Sequence, residues 1–165
     1  PNAAGSPMLL FNATGATENA RVELEPTKTG DSEFEVRLLL RDFPNLYGIA
    51  GHLRYDPKVL TLVTVQMHKV LQGKNYDSRS VGADKPKGRL LLGATRFKSG
   101  GSAFSPLAGV PVGKEVWATL TFKLLADGKH TIAFDPTTTM AKSATYEDLK
   151  TSYGGLVVEY VGGAK

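Results

Sequence analysis

The chain has 165 residues, of which 41% are hydrophobic and 22% are charged, an ordinary balance for a globular protein with a substantial core. Cysteine is absent, which excludes disulfides, thiolate metal sites and cysteine nucleophiles. No apolar run approaches the ~20 residues that cross a bilayer, so we predict no transmembrane segment. We predict a single domain over residues 1–165, with a flexible tether at 1–7 and a tail at 162–165.

The net charge of +4 is concentrated in one stretch. Residues 69–98 carry eight basic and two acidic side chains, so this stretch is +6 and the remainder is −2. A local basic surface steers an acidic partner, although lysines in a solvated loop produce the same composition. Nucleic-acid binding would call for aromatics interleaved with these cations or a known motif. Neither is present, and we predict no nucleic-acid partner.

Strand patterns begin near the N terminus. Residues 8–11 form an apolar run suited to a sheet edge, and residues 21–25 alternate between apolar and charged. Residues 33–41 alternate most clearly, and the apolar residues at the even positions 34–40 are predicted to face inward. The segment Phe43-Pro44-Asn45 is predicted to end this strand.

A central strand follows at residues 47–55. One face carries Ile49, Leu53 and Tyr55, and the other carries Ala50, His52 and Arg54, the period-2 pattern of a half-buried strand. Asp56-Pro57 then predicts a single turn over residues 57–60, because the carboxylate accepts backbone N–H groups and proline fits the first turn. The apolar, β-branched run at 59–65 predicts the next strand.

The C-terminal half alternates long loops with strands. Residues 69–88 are predicted to form a loop with one short edge strand near Tyr76. Residues 89–97 are predicted to form a strand that is apolar on both faces. Residues 98–114 are predicted to form a loop anchored by Phe104 and Leu107. Residues 115–125 predict a strand with Val116 and Ala118 inward, joined as a hairpin through Asp127-Gly128 to residues 130–134. Residues 144–150 hint at a helix, and 156–161 form the last strand.

About nine short strands with almost no helix predict an all-β fold, an antiparallel β-sandwich. Turn spacing alone leaves a jelly roll and an immunoglobulin-like topology open.

Motifs for catalysis and cofactor binding are absent. His52, His68 and His130 lie in different predicted elements without metal-ligand spacing, and there is no Gly-x-Ser-x-Gly elbow or phosphate-binding glycine loop. Asp56 and Asp135 each precede a proline and are interpreted as turn residues. We therefore predict no enzyme activity, no metal site and no cofactor.

Four segments in order resemble cohesin domains, the modules of bacterial scaffolding proteins that capture dockerin domains. Tyr55-Asp56-Pro57-Lys58-Val59-Leu60 resembles the family's Tyr-Asp-Pro-x-Val-Leu segment, and residues 89–97 resemble its central basic-then-apolar strand. Residues 116–122 resemble its Ala-Thr-Ile-x-Phe strand, and residues 154–158 its Gly-Gly-x-Val ending. Thr29-Gly30-Asp31 stands where a Pro-Gly-Asp turn is usual. The resemblance covers residues 20–161 and implies a cohesin-like jelly roll.

Cohesins bind their partner with one face of the sandwich. If the family's binding positions are carried over to this sequence and the neighbouring Arg89 and Leu91 are added, the resemblance implies eight partner-binding residues. They are Gly48, Ala50, His52, Arg54, Arg89, Leu91, Thr95 and Phe97. Many members carry Asn and Asp where Gly48 and Ala50 stand, so the resemblance implies the fold more directly than dockerin recognition. The competing interpretation is that a loop, such as 98–114, folds over Leu91 and Phe97. If these residues are exposed, they join Arg54 and Arg89 as a binding surface.

The leading hypothesis is a non-catalytic protein–protein interaction module, secreted or attached to a bacterial cell surface as part of a longer or lipid-anchored protein. Its partner would be a dockerin-like domain or an envelope protein. The alternative is a carbohydrate-binding module of related jelly-roll fold, binding a polysaccharide through a row of aromatics. Against it, aromatics are 8% of the chain and the single tryptophan, Trp117, stands in no such row.

Overall fold

The computed structural model describes residues 7–15, 18–73, 76–84, 86–98 and 108–162. Within these ranges the chain forms twelve strands and no α-helix. The strands are β1 (Met8–Thr14), β2 (Arg21–Lys28), β3 (Glu33–Leu46), β4 (Gly48–Arg54), β5 (Leu60–Met67), β6 (Tyr76–Asp84), β7 (Arg89–Lys98), β8 (Val110–Leu124), β9 (Gly128–Phe134), β10 (Met140–Lys142), β11 (Ser152–Tyr153) and β12 (Gly155–Val161).

The strands form two sheets. The front sheet has the order β1-β12-β9-β4-β7-β6, with β10 also paired to β4, and the back sheet has the order β11-β2-β3-β8-β5. Every pairing is antiparallel except that of the short β11 with β2. The chain crosses repeatedly from one sheet to the other, which confirms the predicted antiparallel β-sandwich.

The core lies between the sheets and is built from the predicted alternation. All four even-numbered apolar residues of β3, from Phe34 to Leu40, are buried. Ile49 and Leu53 of β4 face them from the front sheet and are also buried. Aromatic rings fill the middle, where Phe34 stacks on Phe122 at 5.5 Å between ring centroids. The alternating sequence pattern predicted the orientation of these side chains correctly, because the pleat that sets their direction is a local property of the backbone.

The predicted turn after the central strand is confirmed. The Leu60 N–H donates to the backbone carbonyl of Asp56 at 3.0 Å, and the Asp56 carboxylate accepts the Lys58 N–H at 2.9 Å. One turn therefore closes over Pro57 before β5 begins.

The predicted hairpin between residues 115–125 and 130–134 is wrong. β8 lies in the back sheet, whereas β9 lies in the front sheet between β12 and β4. The Asp127-Gly128 turn, with Gly128 at φ +119°, carries the chain across the sandwich. Buried Ile132 and Phe134 face the core from β9, and their alternation would look the same in either sheet.

The predicted orientation of β8 is wrong near its middle. Leu38 pairs with Ala118 and Leu39 with Val116, so the bulge leaves Trp117 without an opposite residue. Both Trp117 and Ala118 are fully buried, at 0% exposure, whereas Val116 is half-buried. A bulge reverses the alternation at one point, which periodicity cannot foresee.

Three other boundaries differ from expectation. The hint of helix at 144–150 is wrong: the segment turns at Tyr146, whose φ is +65°, and returns to pair Asp148 with Lys142. β3 continues through Pro44 to Leu46, and the strand near Tyr76 has nine residues. Phe104 and Leu107, predicted to anchor a loop, lie outside the described residues.

Candidate protein-binding face

All eight candidate residues lie on the outer face of the front sheet. On β4, the buried Ile49 and Leu53 alternate with the outward Gly48, Ala50, His52 and Arg54. β7 runs antiparallel beside β4 and places Thr95 opposite Gly48, Leu91 opposite His52, and Arg89 opposite Arg54. Phe97 lies one step farther along the same face of β7 and is opposite Asp77 of β6. The two strands therefore bring the candidate residues together.

The large apolar residues of this face are exposed. Leu91 is 41% exposed and Phe97 is 44% exposed, whereas residues 99–107 of the loop expected to cover them lie outside the described residues. Val81 on β6 is 48% exposed and Met140 on β10 is 43% exposed, and they widen the apolar surface on both sides of β4 and β7. Exposed apolar side chains gathered on one sheet face are typical of a protein-binding surface.

A groove runs along the middle of this face, with a volume of about 330 Å³. We call it the front groove. Its floor includes the small residues Gly48, Ala50 and Gly93. Its two sides are formed by Arg79 and Val81 on β6, and by Met140, Lys142 and Tyr146 on and after β10.

Sequence analysis missed the two sides of the groove. The polar composition around Val81 predicts a loop, although Val81 is an exposed residue of a nine-residue strand. β10 has only three residues, too few for a periodic pattern. The hydrophobicity of Val81 and Met140 was the one signal in the sequence that could have indicated a binding surface here. It indicates such a surface only once the structure places Val81 beside β7 and Met140 beside β4.

A buried carboxylate organises the cations at one end of the face. Asp135 is 7% exposed, and its Oδ2 atom accepts a 2.5 Å hydrogen bond from Arg54 and lies 4.0 Å from Arg89. Its Oδ1 atom accepts hydrogen bonds from the Thr137 hydroxyl at 2.7 Å and the Thr137 backbone N–H at 3.0 Å. The Thr137 bonds, supported by both guanidinium groups, lower the pKa of Asp135 below its usual value.

The basic stretch at 69–98 divides between surface and interior. Arg79 is exposed and makes no ion pair within the described ranges. Arg96 is buried, lies 3.9 Å from the Tyr76 ring centroid, and donates to the Ala108 carbonyl at 2.8 Å. Lys74 and Lys85 lie outside the described residues. The sequence count therefore overstates the basic surface, because Arg96 belongs to the packed interior.

The histidines have separate surroundings. His52 is half-buried on the candidate face, His68 shares a 2.9 Å hydrogen bond with the Thr119 hydroxyl, and the Nε2 atom of His130 lies 2.7 Å from the Ala126 carbonyl oxygen. In the part of the chain that the structure describes, no group of three or more His, Asp or Glu side chains is arranged to hold a metal ion. The same residues include no helix with the length and hydrophobicity to cross a membrane.

Several solved structures with a similar architecture are cohesin modules. The second type II cohesin module of the adaptor ScaA scaffoldin from Acetivibrio cellulolyticus is 16% identical, with a TM-score of 0.56 over 87% of this chain and 85% of that one. The seventh ScaB type I cohesin from Pseudobacteroides cellulosolvens is also 16% identical, with a TM-score of 0.54 over 81% and 84%.

A chain from a type II cohesin–X–dockerin complex of A. cellulolyticus is similar as well. It is 14% identical, with a TM-score of 0.53 over 84% of this chain and 95% of that one. No protein-family model and no curated protein sequence matches the chain. These likenesses show that the chain has the cohesin fold, a jelly-roll β-sandwich, as the sequence motifs predicted.

Proposed function

We propose that this chain is a non-catalytic interaction module that binds a protein partner, a dockerin-like domain, through the outer face of the front sheet. The single observation that carries the proposal is the exposure of Leu91 and Phe97 on that face, on the same strand pair as Arg54 and Arg89. Aromatic and arginine side chains beside exposed apolar residues have the composition of binding hot spots.

The fold supports the same conclusion. One solved neighbour is part of a cohesin–X–dockerin complex, and others are modules of the adaptor ScaA scaffoldin. We extend this class of partner to the present chain, and with it a location outside the cell or at its surface. The Asn and Asp common in cohesins are replaced here by Gly48 and Ala50, so the partner is expected to rely more on apolar and arginine contacts.

The polysaccharide alternative receives less support. Its aromatic platform would need exposed, aligned rings, whereas Trp117 is buried and lies parallel to Phe134 with 6.3 Å between ring centroids. Its ring therefore packs in the core instead of facing a ligand.

The test begins with capture. The domain is immobilised and exposed to envelope and secreted extracts of the cells that produce it, with and without a calcium chelator, since dockerins are held folded by calcium. The captured protein is then purified, and its affinity is measured by calorimetry for the wild type and for Phe97→Ala, Leu91→Ala and Arg54→Ala. Val63→Ala is the control, because Val63 is an exposed valine on the back sheet.

The proposal predicts that chelation abolishes capture and that each front-face variant binds about 10- to 100-fold more weakly, with the control within about twofold of wild type. A partner indifferent to chelation would indicate an adaptor that uses the same face for another protein. Unchanged affinity in all three variants would overturn the proposed face. Retention on insoluble polysaccharide without a protein partner would replace the proposal by the alternative.

A further inference from the structure

The front groove has a stepped cross-section. In one row across four strands, Val81 is opposite Gly93, Gly93 is opposite Ala50, and Ala50 is opposite Met140. The side chains along this row are therefore large, small, small and large in turn. With strands about 4.8 Å apart, the two small residues leave a trough that is one side chain deep between the exposed Val81 and Met140.

The next row adds charge at both sides of the trough. Arg79 is opposite Thr95, Thr95 is opposite Gly48, and Gly48 is opposite Lys142. A Cβ atom built on Gly48 would lie 3.5 Å from the nearest side-chain atom, in Thr95, an ordinary van der Waals distance, so the floor is low here because Gly48 has no side chain. This row places a guanidinium on one side and an ammonium on the other.

The two cations differ in availability. Lys142 pairs with Asp148 at 2.5 Å and lies 4.7 Å from the Tyr146 ring centroid. Arg79 is exposed and without an ion pair in the described ranges. The side of the groove formed by β6 therefore presents a free positive charge next to an apolar trough.

The opposite end of the trough is apolar. In the third row, Leu91 lies between Ala83 and His52, so an exposed apolar side chain follows the trough at the end away from Arg79. The groove is thus apolar along its length and cationic at one end. An extended row of glycan hydroxyls would find few hydrogen-bond partners on its floor.

We propose that the front groove receives one large apolar side chain of the protein partner, such as leucine, methionine or phenylalanine, with a carboxylate of the same partner segment beside Arg79. This inference rests on the proposed function and specifies the partner's chemistry. The volume of about 330 Å³ accommodates one large side chain and part of the segment that carries it. Burying such a side chain in place of alanine is expected to tighten binding about 10-fold or more, and pairing a carboxylate with an exposed arginine about threefold.

The test uses three synthetic peptides and the full ¹⁵N-labelled chain. The peptides share one sequence, except that the central residue and its neighbours are Glu-Leu-Glu, Glu-Ala-Glu or Lys-Leu-Lys. Dissociation constants come from amide chemical-shift changes on titration. We expect the Glu-Leu-Glu peptide to shift the amide resonances of Gly48, Ala50 and Gly93. It should bind at least about 10-fold more tightly than the Glu-Ala-Glu peptide and about threefold more tightly than the Lys-Leu-Lys peptide.

Two variants separate the apolar and charged contributions. Ala50→Leu fills the trough from an outward position, and should abolish the preference for leucine over alanine. Arg79→Glu should reverse the preference between the Glu and Lys peptides while preserving that for leucine. Thermal unfolding of each variant verifies that it is folded, and Val63→Ala is again the matched surface control.

Several outcomes would overturn the inference. These are equal affinities for all three peptides, no shift of the groove amides at millimolar peptide, or wild-type binding by Ala50→Leu. Groove amides that shift with protein concentration alone would assign the groove to a second copy of the chain.

The captured partner distinguishes this inference from the proposed function. If Phe97→Ala weakens that complex but Ala50→Leu and Arg79→Glu do not, the groove inference fails and the proposed function stands. If none of these variants changes the affinity, the proposed function fails.

Discussion

Arg54 and Asp135 form an ion pair whose two members belong to different environments. The Arg54 Nη2 atom donates to the Asp135 Oδ2 atom at 2.5 Å, which joins β4 to the turn after β9. The Arg54 side chain is 59% exposed, whereas that of Asp135 is 7% exposed. The carboxylate is therefore part of the folded framework, and much of the guanidinium remains available to a partner.

This asymmetry predicts different effects of the two truncations on stability. Arg54→Ala should change the free energy of unfolding by at most about 1 kcal/mol, because the guanidinium is largely solvated. Asp135→Ala should lower the thermal midpoint by several degrees, because the Thr137 N–H and hydroxyl lose their acceptor. Urea and thermal unfolding measure both, with Arg79→Ala as an unpaired arginine control. Equal losses in the two variants would contradict this division of roles.

Acid should weaken the fold through Asp135. Its folded-state pKa is lowered, first by the Thr137 hydrogen bonds and then by Arg54 and Arg89, whereas the unfolded carboxyl titrates near pH 4. The stabilisation is therefore fully present above about pH 4 and is lost as the pH falls through the lower folded-state value. Urea unfolding between pH 7 and pH 2.5 should show a smaller loss for Asp135→Asn than for wild type. Parallel curves for the two proteins would refute this assignment.

Gly88 should be intolerant of a side chain. Its φ is +92°, and an added Cβ would lie 2.8 Å from Pro57 Cδ and 2.9 Å from the Tyr55 carbonyl oxygen. Gly88→Ala should lower the free energy of unfolding by about 1–3 kcal/mol. Gly113→Ala is the matched control, because an added Cβ there meets no atom within 4 Å, and its effect should stay within about 0.5 kcal/mol. Similar stabilities of the two variants would show that the turn at Gly88 relaxes.

Trp117 provides a spectroscopic test of the core and of the polysaccharide alternative. It is the single tryptophan of the chain and is buried, so its emission should be that of an apolar environment and should not change on titration with soluble polysaccharides. Trp117→Ala should cost about 3–5 kcal/mol of stability, measured by urea unfolding followed by circular dichroism. An emission change that saturates with polysaccharide would contradict the buried, structural role.

The face that each residue of a regular strand presents was predictable from the sequence. β4 and β7 alternate as expected, as does β3 from Phe34 to Leu38, and the outward residues of β4 and β7 include all eight candidate binding residues. The Asp56-Pro57 turn was predictable as well, because its hydrogen bonds join residues that are close in the chain. Motif order additionally indicated the cohesin fold, which the structural likenesses support.

The tertiary structure decided the features that depend on residues distant in sequence. It placed β9 in the front sheet, it buried Trp117 through a bulge against β3, and it brought Val81 and Met140 to either side of Ala50 and Gly93. Alternation follows from the local geometry of the backbone. Sheet membership, bulges and a groove that spans four strands depend instead on which distant segments pair, and that choice is made by the packing of the whole core.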